Sequence, residues 1–179
     1  ILVNDPALEG GDEYATAKVL AKVLQKEGFD IILAGFQAVD DGSAQVGSRV
    51  AELLNIPQVT IITKLEIEGG KATATREIDD GVEIIEVPLP AILTAQQGLA
   101  EPRYPSMKGI MQSKKKPLDR MTVADLGISA DEAGAKAAKT KIEKLSMPMP
   151  RQAGKIVGGE PAEAAVEVVR LLRTEAKII

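Results

Sequence analysis

The sequence predicts an α/β fold in which a parallel sheet carries an antiparallel hairpin insert and leads into an extended C-terminal arm with a helix. Three observations predict this fold. Two segments of helical periodicity alternate with short apolar runs, as in a parallel sheet with crossover helices. Polar and apolar residues then alternate from residue 65 to 87 around two glycine-containing turns. A later stretch with prolines at 148 and 150 fits neither a helix nor a regular strand.

The first residues have the pattern of the end of a buried strand. Ile1-Leu2-Val3 is apolar and precedes the polar turn Asn4-Asp5-Pro6. A parallel strand needs neighbours that bury it, and no Met stands before Ile1, so we expect an N-terminal part of the protein to precede this segment. The alternative is a short edge strand that opens the fold.

Two amphipathic helices and two further strands follow in alternation. The first helix, over residues 12–27, has Asp12 as its N-cap and Gly28 as its stop. Continuous apolar runs at 30–34 and 59–63 predict buried strands. The predicted core-facing residues of the two helices are Ala15, Val19, Leu20, Val23, Leu24, Val46, Val50, Leu53 and Leu54.

The residues after 64 predict antiparallel hairpins added to the parallel core, and then a last strand at 91–94. The turns between the hairpin strands have the glycine and aspartate residues that tight turns need. The predicted hairpin segments are strands 65–68, 71–78 and 82–87, with turns at Gly69-Gly70 and Asp79-Asp80-Gly81.

We divide the chain at residue 117. Residues 1–116 are predicted to form the α/β domain, and residues 117–179 an extended arm with a closing helix. Met147-Pro148-Met149-Pro150 marks the arm, and Pro161 suits the first turn of the helix. The arm is expected to dock either on this domain or on a second subunit, and periodicity does not decide between them.

The composition excludes several classes of function. The chain has 179 residues with 22 basic and 26 acidic side chains, so its net charge of -4 does not favour nucleic-acid binding. It has no Cys and no His, which removes thiolate and imidazole chemistry and the common zinc ligands. We therefore predict no catalytic residue and no metal site. No apolar run approaches the roughly 20 residues of a spanning helix, so we expect no membrane span and a cytoplasmic location.

A candidate ligand site lies in the loop from residue 35 to 47, between a predicted strand and the second helix. Ligands of open α/β sheets bind at the carboxyl ends of strands, and the N-terminal amides of the following helix attract a phosphate. Ser43 and Gln45 would add hydrogen-bond donors. The alternative is an ordinary helix start capped by Ser43, because Asp40 and Asp41 oppose a phosphate by charge. The pattern alone leaves both interpretations open.

Two long motifs carry a family resemblance. The first is Gly35-Phe36-Gln37-Ala38-Val39-Asp40-Asp41-Gly42-Ser43-Ala44-Gln45-Val46-Gly47, continued by Ala51-Glu52-Leu53-Leu54 and Pro57-Gln58-Val59-Thr60. The second is Leu99-Ala100-Glu101-Pro102-Arg103-Tyr104-Pro105-Ser106, followed by Lys108-Gly109-Ile110-Met111 and Lys114-Lys115-Lys116-Pro117. In order and spacing, across nearly the whole chain, both resemble the electron-transfer flavoprotein beta subunits.

The resemblance implies a heterodimer that carries electrons. In this family an alpha subunit holds FAD, and the beta subunit binds an adenine nucleotide through the first motif, on a Rossmann-like sheet of the adenine nucleotide alpha-hydrolase type. The implied nucleotide is AMP in ordinary carriers or a second FAD in the electron-bifurcating type, where NADH reduces that flavin. The implied contact residues are Gly35, Phe36, Gln37, Ala38, Val39, Asp40, Asp41, Gly42, Ser43, Ala44, Gln45 and Val46.

The resemblance leaves AMP and FAD as alternatives. Gln45-Val46-Gly47, Pro105-Ser106 and the helix that opens at Gly159-Glu160-Pro161 favour the bifurcating type. Against this, Asp40-Asp41-Gly42-Ser43 differs from the Asp-Gly-Asp-Thr of bifurcating members.

The second motif implies a docking role. Leu99 matches the family's anchor, a leucine on an exposed loop that inserts into a pocket on a partner dehydrogenase. The redox partners that the resemblance implies are dehydrogenases or quinone reductases. From the residues alone, the alternative is that Leu99 packs on its own sheet. Lys114, Lys115 and Lys116 would steer an acidic partner or form a solvated face. The C-terminal arm resembles the segment with which the beta subunit embraces the alpha subunit.

Two further function classes compete with the carrier. A free-standing nucleotide-binding module of the universal-stress-protein kind would share the fold, form a homodimer and hold no flavin. A phosphoryl-transfer enzyme would need a lysine or a metal-binding carboxylate at the loop, where Asp40 and Asp41 are the candidates.

Overall fold

The computed structural model of the chain describes residues 1–151 and 153–179. They divide into two units, Ile1–Lys141 and Ile142–Ile179. The helices and strands of the first unit are β1 (Leu2–Val3), α1 (Glu13–Glu27), β2 (Ile31–Gly35), α2 (Val46–Leu54), β3 (Gln58–Glu68), β4 (Lys71–Ile78), β5 (Gly81–Pro88), β6 (Ala91–Ala95), α3 (Met107–Ser113), β7 (Arg120–Met121) and α4 (Gly134–Ala137). Short 3-10 helices lie at Pro6–Leu8, Ala124–Leu126 and Ala130–Glu132.

The main sheet has the strand order β2-β6-β3-β4-β5. β6 lies between β2 and β3 and is parallel to both, whereas β3, β4 and β5 are antiparallel. Turns that contain glycine join β3 to β4 and β4 to β5. Residues 69, 70 and 81 in these turns adopt positive φ, which glycine tolerates because it has no Cβ. The predicted α/β fold, with a parallel core and an antiparallel hairpin insert, is confirmed.

The two helices cover one face of the sheet. The α1 helix begins after Asp12, whose carboxylate accepts a hydrogen bond from the Ala15 N–H at 2.9 Å, and it ends at Gly28, with φ of 77°. Both predicted ends of the helix are therefore confirmed. The buried contacts of α1, α2 and β6 are formed by Ala17, Ala21, Val50, Ala51 and Ile92.

A second core lies among the strands themselves. Its buried residues are Val59, Ile62, Ala72, Ala74, Val87, Ala91 and Leu93, which come from β3, β4, β5 and β6. The hairpin insert therefore shares a core with the parallel strands and stabilises them by burial of apolar area.

The first strand lies outside the main sheet. β1 pairs in parallel with β7, with Leu2 opposite Arg120 and Val3 opposite Met121. Within the chain described here, Ile1 and Leu2 are 51% and 38% exposed, and β7 is the strand that pairs with β1.

Residues 117–141 belong to the first unit, although they were predicted to form part of the arm. Val123, Leu126 and Ile128 are buried and pack against Val19 of α1. Leu126 lies in the 3-10 helix Ala124–Leu126, and Val123 and Ile128 lie on either side of it, so α-helical periodicity does not reveal them. The first unit ends at Lys141, 25 residues beyond the predicted boundary at residue 116.

The second unit begins with an irregular stretch and ends in a helix. Met147 and Met149 are 90% and 91% exposed, in a segment without helix or strand. α5 (Pro161–Leu171) has Pro161 in its first turn, as predicted, and continues as a π-helical turn at Leu172–Ala176. Across the described residues, no helix has both the length and the apolar character to cross a bilayer.

Candidate functional site

The predicted loop encloses a cleft of about 290 Å³ between the end of β2 and the start of α2. Nine of the twelve predicted contact residues line this cleft, together with Gly47. Val39, Asp40 and Gly42 are the three that do not. The lining residues are Gly35, Phe36, Gln37, Ala38, Asp41, Ser43, Ala44, Gln45, Val46 and Gly47.

Backbone and carboxylate hydrogen bonds hold the loop in shape. The Phe36 N–H donates to the Ala95 carbonyl at 3.2 Å, which attaches the loop to the end of β6. The Asp41 carboxylate accepts from the Ser43 N–H at 2.9 Å, and the Asp40 carboxylate accepts from the Asp41 N–H at 3.0 Å. Both acids therefore stabilise the turn itself, as short aspartate side chains commonly do.

The start of α2 carries no side-chain cap. Its N-cap is Gln45, in helical conformation, and no side-chain oxygen accepts from the first-turn amides. The alternative prediction that Ser43 caps the helix is therefore wrong. The N–H groups of a first helical turn have no partner within the helix, so those of Val46, Gly47 and Ser48 are left to bind an acceptor at this end of the cleft.

Arg49, which neither motif singles out, contacts a residue that lines the cleft. The Gln45 Oε1 accepts two hydrogen bonds from Arg49, from Nε at 3.1 Å and from Nη2 at 2.5 Å. The signal that could have found this pair is its spacing, since residues four apart lie on the same face of a helix. A guanidinium is therefore held within hydrogen-bond distance of a cleft-lining residue.

Two glycines of the loop have different structural roles. Gly42 has φ of 63°, a left-handed conformation that other residues rarely adopt. Gly47 faces Thr94, because a Cβ added at Gly47 would lie 2.8 Å from the Thr94 Cγ2. The absence of a side chain at Gly47 therefore allows α2 to pack closely against β6.

Leu99 lies half-buried and packs against the core of the strands. It follows Gly98, with φ of 97°, and its N–H donates to the Gln96 carbonyl at 3.3 Å. This placement corresponds to the alternative in which Leu99 packs on its own sheet. The exposed apolar residues nearby in the chain include Tyr104, Met107 and Met111, at 97%, 76% and 68% exposure.

Lys114, Lys115 and Lys116 are exposed at the end of α3. Within residues 1–151 and 153–179, no group of three or more Asp or Glu side chains is placed to hold a metal ion.

Comparison with known proteins identifies the family. The model of the electron transfer flavoprotein domain matches residues 1–126. The electron transfer flavoprotein subunit beta of Bacillus subtilis (strain 168) is 48% identical over all of the chain and 69% of its own length. The protein of the same name from Thermoanaerobacterium thermosaccharolyticum is 45% identical over 97% of the chain and 67% of its own length.

A relative with a different name is also similar. The caffeyl-CoA reductase-Etf complex subunit CarD of Acetobacterium woodii is 38% identical over 88% of the chain. The chain spans 61% of the length of that relative and 62% of a further beta subunit, from Syntrophomonas wolfei. The domain model matches residues 1–126, and the beta subunits from Bacillus subtilis and Thermoanaerobacterium thermosaccharolyticum match nearly the whole chain. The chain therefore belongs to the electron transfer flavoprotein family and is related to its beta subunits.

Proposed function

We propose that this chain acts as the beta subunit of a cytoplasmic heterodimer, in which it binds the adenylate part of a nucleotide in the cleft between β2 and α2. The alpha subunit holds FAD, and the complex passes electrons between a dehydrogenase or quinone reductase and a second redox partner. The flavin supplies the redox chemistry when bound. This chain contributes nucleotide binding, orientation and docking, and no covalent catalysis.

The uncapped start of α2 beside the loop cleft is the observation that carries this proposal. The cleft lies at the carboxyl end of a parallel strand, where open α/β sheets bind ligands. The free first-turn amides suit a phosphate, and Gln45 adds a polar group at the same end. The volume of about 290 Å³ is near the lower end of ligand sites, roughly 300 Å³. It therefore suits an adenylate moiety, which AMP and FAD share.

Electron bifurcation is the second candidate, with FAD at this site and NADH as its reductant. It is favoured by the 38% identity to a relative whose name places it in a caffeyl-CoA reductase-Etf complex. Gln45-Val46-Gly47 and Pro105-Ser106 point the same way, and Asp40-Asp41-Gly42-Ser43 points towards AMP. The ordinary carrier and the bifurcating carrier differ in this one nucleotide.

Docking is proposed for two further segments. The arm, which we now begin at residue 142, would embrace the alpha subunit, and its exposed Met147 and Met149 suit an adaptable contact. Leu99 would contact the redox partner, which requires it to leave its present packing on the sheet.

The test is the nucleotide content of the native complex. The full-length protein is purified with its partners, the complex is denatured, and the released FAD and AMP are quantified for each heterodimer. One FAD and one AMP support the ordinary carrier, and two FAD without AMP support bifurcation. Release of neither nucleotide overturns the proposal.

A further inference from the structure

We infer that Arg49 is a positioning residue of the nucleotide cleft, which orients Gln45 as a donor to a phosphate and offsets the acidic charge of the loop. This inference rests on the proposed function, and it assigns a role to a residue outside the motif residues predicted to contact the nucleotide.

The hydrogen-bond chemistry of the pair fixes the orientation of the Gln45 amide. Arginine has five N–H donors and no acceptor, so the oxygen of Gln45 must face the two Arg49 donors, Nε and Nη2. The Gln45 NH2 group then remains for the cleft that this residue lines. Without Arg49, either end of the amide could face a ligand, and an oxygen would repel a phosphate.

The positive charge of Arg49 also favours a phosphate in the cleft. Asp41 lines the cleft, so a phosphate bound there meets a carboxylate. The Arg49 guanidinium forms no ion pair with a carboxylate in the part of the chain that the structure describes, so its positive charge is not neutralised by a neighbour. Arg49 is partly buried as a residue, and its guanidinium meets Gln45 at the exposed side of the cleft. Arg49 therefore makes the potential at the start of α2 more favourable for an anion.

The inference predicts selectivity for the phosphate over the nucleoside. An interaction that acts on the phosphate changes the affinity for AMP, whereas a change in cleft shape would alter binding of AMP and adenosine together. The second ionisation of a phosphate monoester lies near pH 6, so the contribution of Arg49 also grows as pH rises through about 6.

The experiment uses the full-length protein with its alpha subunit, freed of bound nucleotide and titrated calorimetrically with AMP and with adenosine. Arg49→Met is expected to weaken AMP binding about tenfold, as for loss of a charge-assisted contact, and to leave adenosine unchanged. Arg49→Lys keeps a charged donor and is expected to recover most of the loss. Arg120→Met removes an exposed arginine of β7 and serves as the charge-matched control.

Three results would overturn the inference: equal weakening of AMP and adenosine, an unchanged AMP affinity in Arg49→Met, or a pH profile that is the same in wild type and variant. A double-mutant cycle with Gln45→Ala measures the positioning role, because the effect of Arg49→Met must shrink when Gln45 is absent. If the wild-type complex binds neither AMP nor adenosine, the proposed function itself fails, and this outcome is distinct from the other three.

Discussion

Gly47 of the second helix lies against Thr94 of the parallel strands at the cleft, with no room for a side chain between them. A Cβ built on Gly47 would stand 2.8 Å from the Thr94 Cγ2 and 3.9 Å from the Ala34 Cβ. Thr94 is 3% exposed, and its Oγ1 accepts a hydrogen bond from the Ile61 N–H at 3.0 Å. Ile61 has φ of 62° at a bulge in β3, so the threonine joins an irregular strand to the helix that borders the cleft.

Substitution of Gly47 by alanine is expected to destabilise the fold by about 1–3 kcal/mol, because the added methyl group overpacks a buried contact. Equilibrium unfolding in urea measures the loss. Gly35→Ala is the matched control, since a Cβ at Gly35 meets nothing within 4 Å. Adding Thr94→Ser removes the opposing methyl but keeps the hydroxyl, so it should recover part of the loss. A Gly47→Ala protein as stable as wild type would contradict the close contact.

Substitution of Thr94 by valine tests the hydrogen bond to Ile61 separately. The shape is nearly kept, but the Ile61 N–H loses its acceptor, which is expected to cost about 1–3 kcal/mol of unfolding free energy. Thr75→Val, on β4, is the control and makes the same chemical change. Among the described residues, the Thr75 hydroxyl has no hydrogen-bond partner, and only its carbonyl accepts a side-chain hydrogen bond. We expect the control to be near neutral. Equal unfolding free energies for both variants would mean that the Thr94 hydroxyl contributes little.

Asp12 joins the start of α1 to residues 139 and 140. Its Oδ1 caps the helix through Ala15, whereas its Oδ2 accepts from the Lys139 N–H at 2.7 Å and from the N–H and hydroxyl of Thr140 at 2.9 and 3.0 Å. Asp12→Asn keeps a capping oxygen but replaces the second oxygen by a donor. It should therefore release residues 139 and 140 while α1 keeps its cap.

We expect faster amide hydrogen exchange at residues 139 and 140 in Asp12→Asn, with the exchange rates of α1 preserved. Asp12→Ala should lose both contacts and about 1–2 kcal/mol from the cap alone. Asp30→Asn changes an exposed aspartate and serves as the control. If exchange at residues 139 and 140 is the same in Asp12→Asn as in wild type, the contact does not hold this segment.

The stability of the first unit is expected to fall in acid. Desolvation raises the pKa of Asp12, but hydrogen bonds from Ala15, Lys139 and Thr140 together lower it from 3.8 to about 2. Hydrogen bonds from Lys18 and Ser129 lower the pKa of Glu132 from 4.5 to about 2. A carboxyl group with a lowered pKa in the folded state contributes stability above its unfolded pKa and loses it as pH falls through the folded value.

The stabilising contribution should thus be complete above pH 4.5 and disappear towards pH 2. Urea unfolding at a series of pH values measures it. In the double variant Asp12→Asn with Glu132→Gln, the unfolding free energy should decrease less between these two pH values than it does in wild type. If it decreases as steeply as in wild type, other groups cause the acid sensitivity.

Local signals in the sequence predicted most of the fold, and contacts distant in the sequence account for the differences. α1 was predicted with both ends because Asp12 and Gly28 act within one turn of the helix. The cleft was predicted because one continuous loop supplies its lining. The packing of Val123 on α1 joins residues about a hundred positions apart, and no local period encodes it. The Gly47 to Thr94 contact was missed for the same reason.

Leu99 packs on the core and is also proposed to contact the redox partner. The first role predicts an effect of its substitution on stability, and the second predicts an effect on the rate of electron transfer. A half-buried leucine on the core should contribute to stability, and Leu99→Ala is expected to lower the unfolding free energy by about 1–2 kcal/mol, below the 2–5 kcal/mol typical of full burial. Met107→Ala removes a side chain that is 76% exposed and should leave stability unchanged. Electron transfer from the redox partner is then measured at a temperature where both variants are folded. A slower rate in Leu99→Ala alone would support docking through Leu99. A loss of stability without any change in rate would restrict Leu99 to the core.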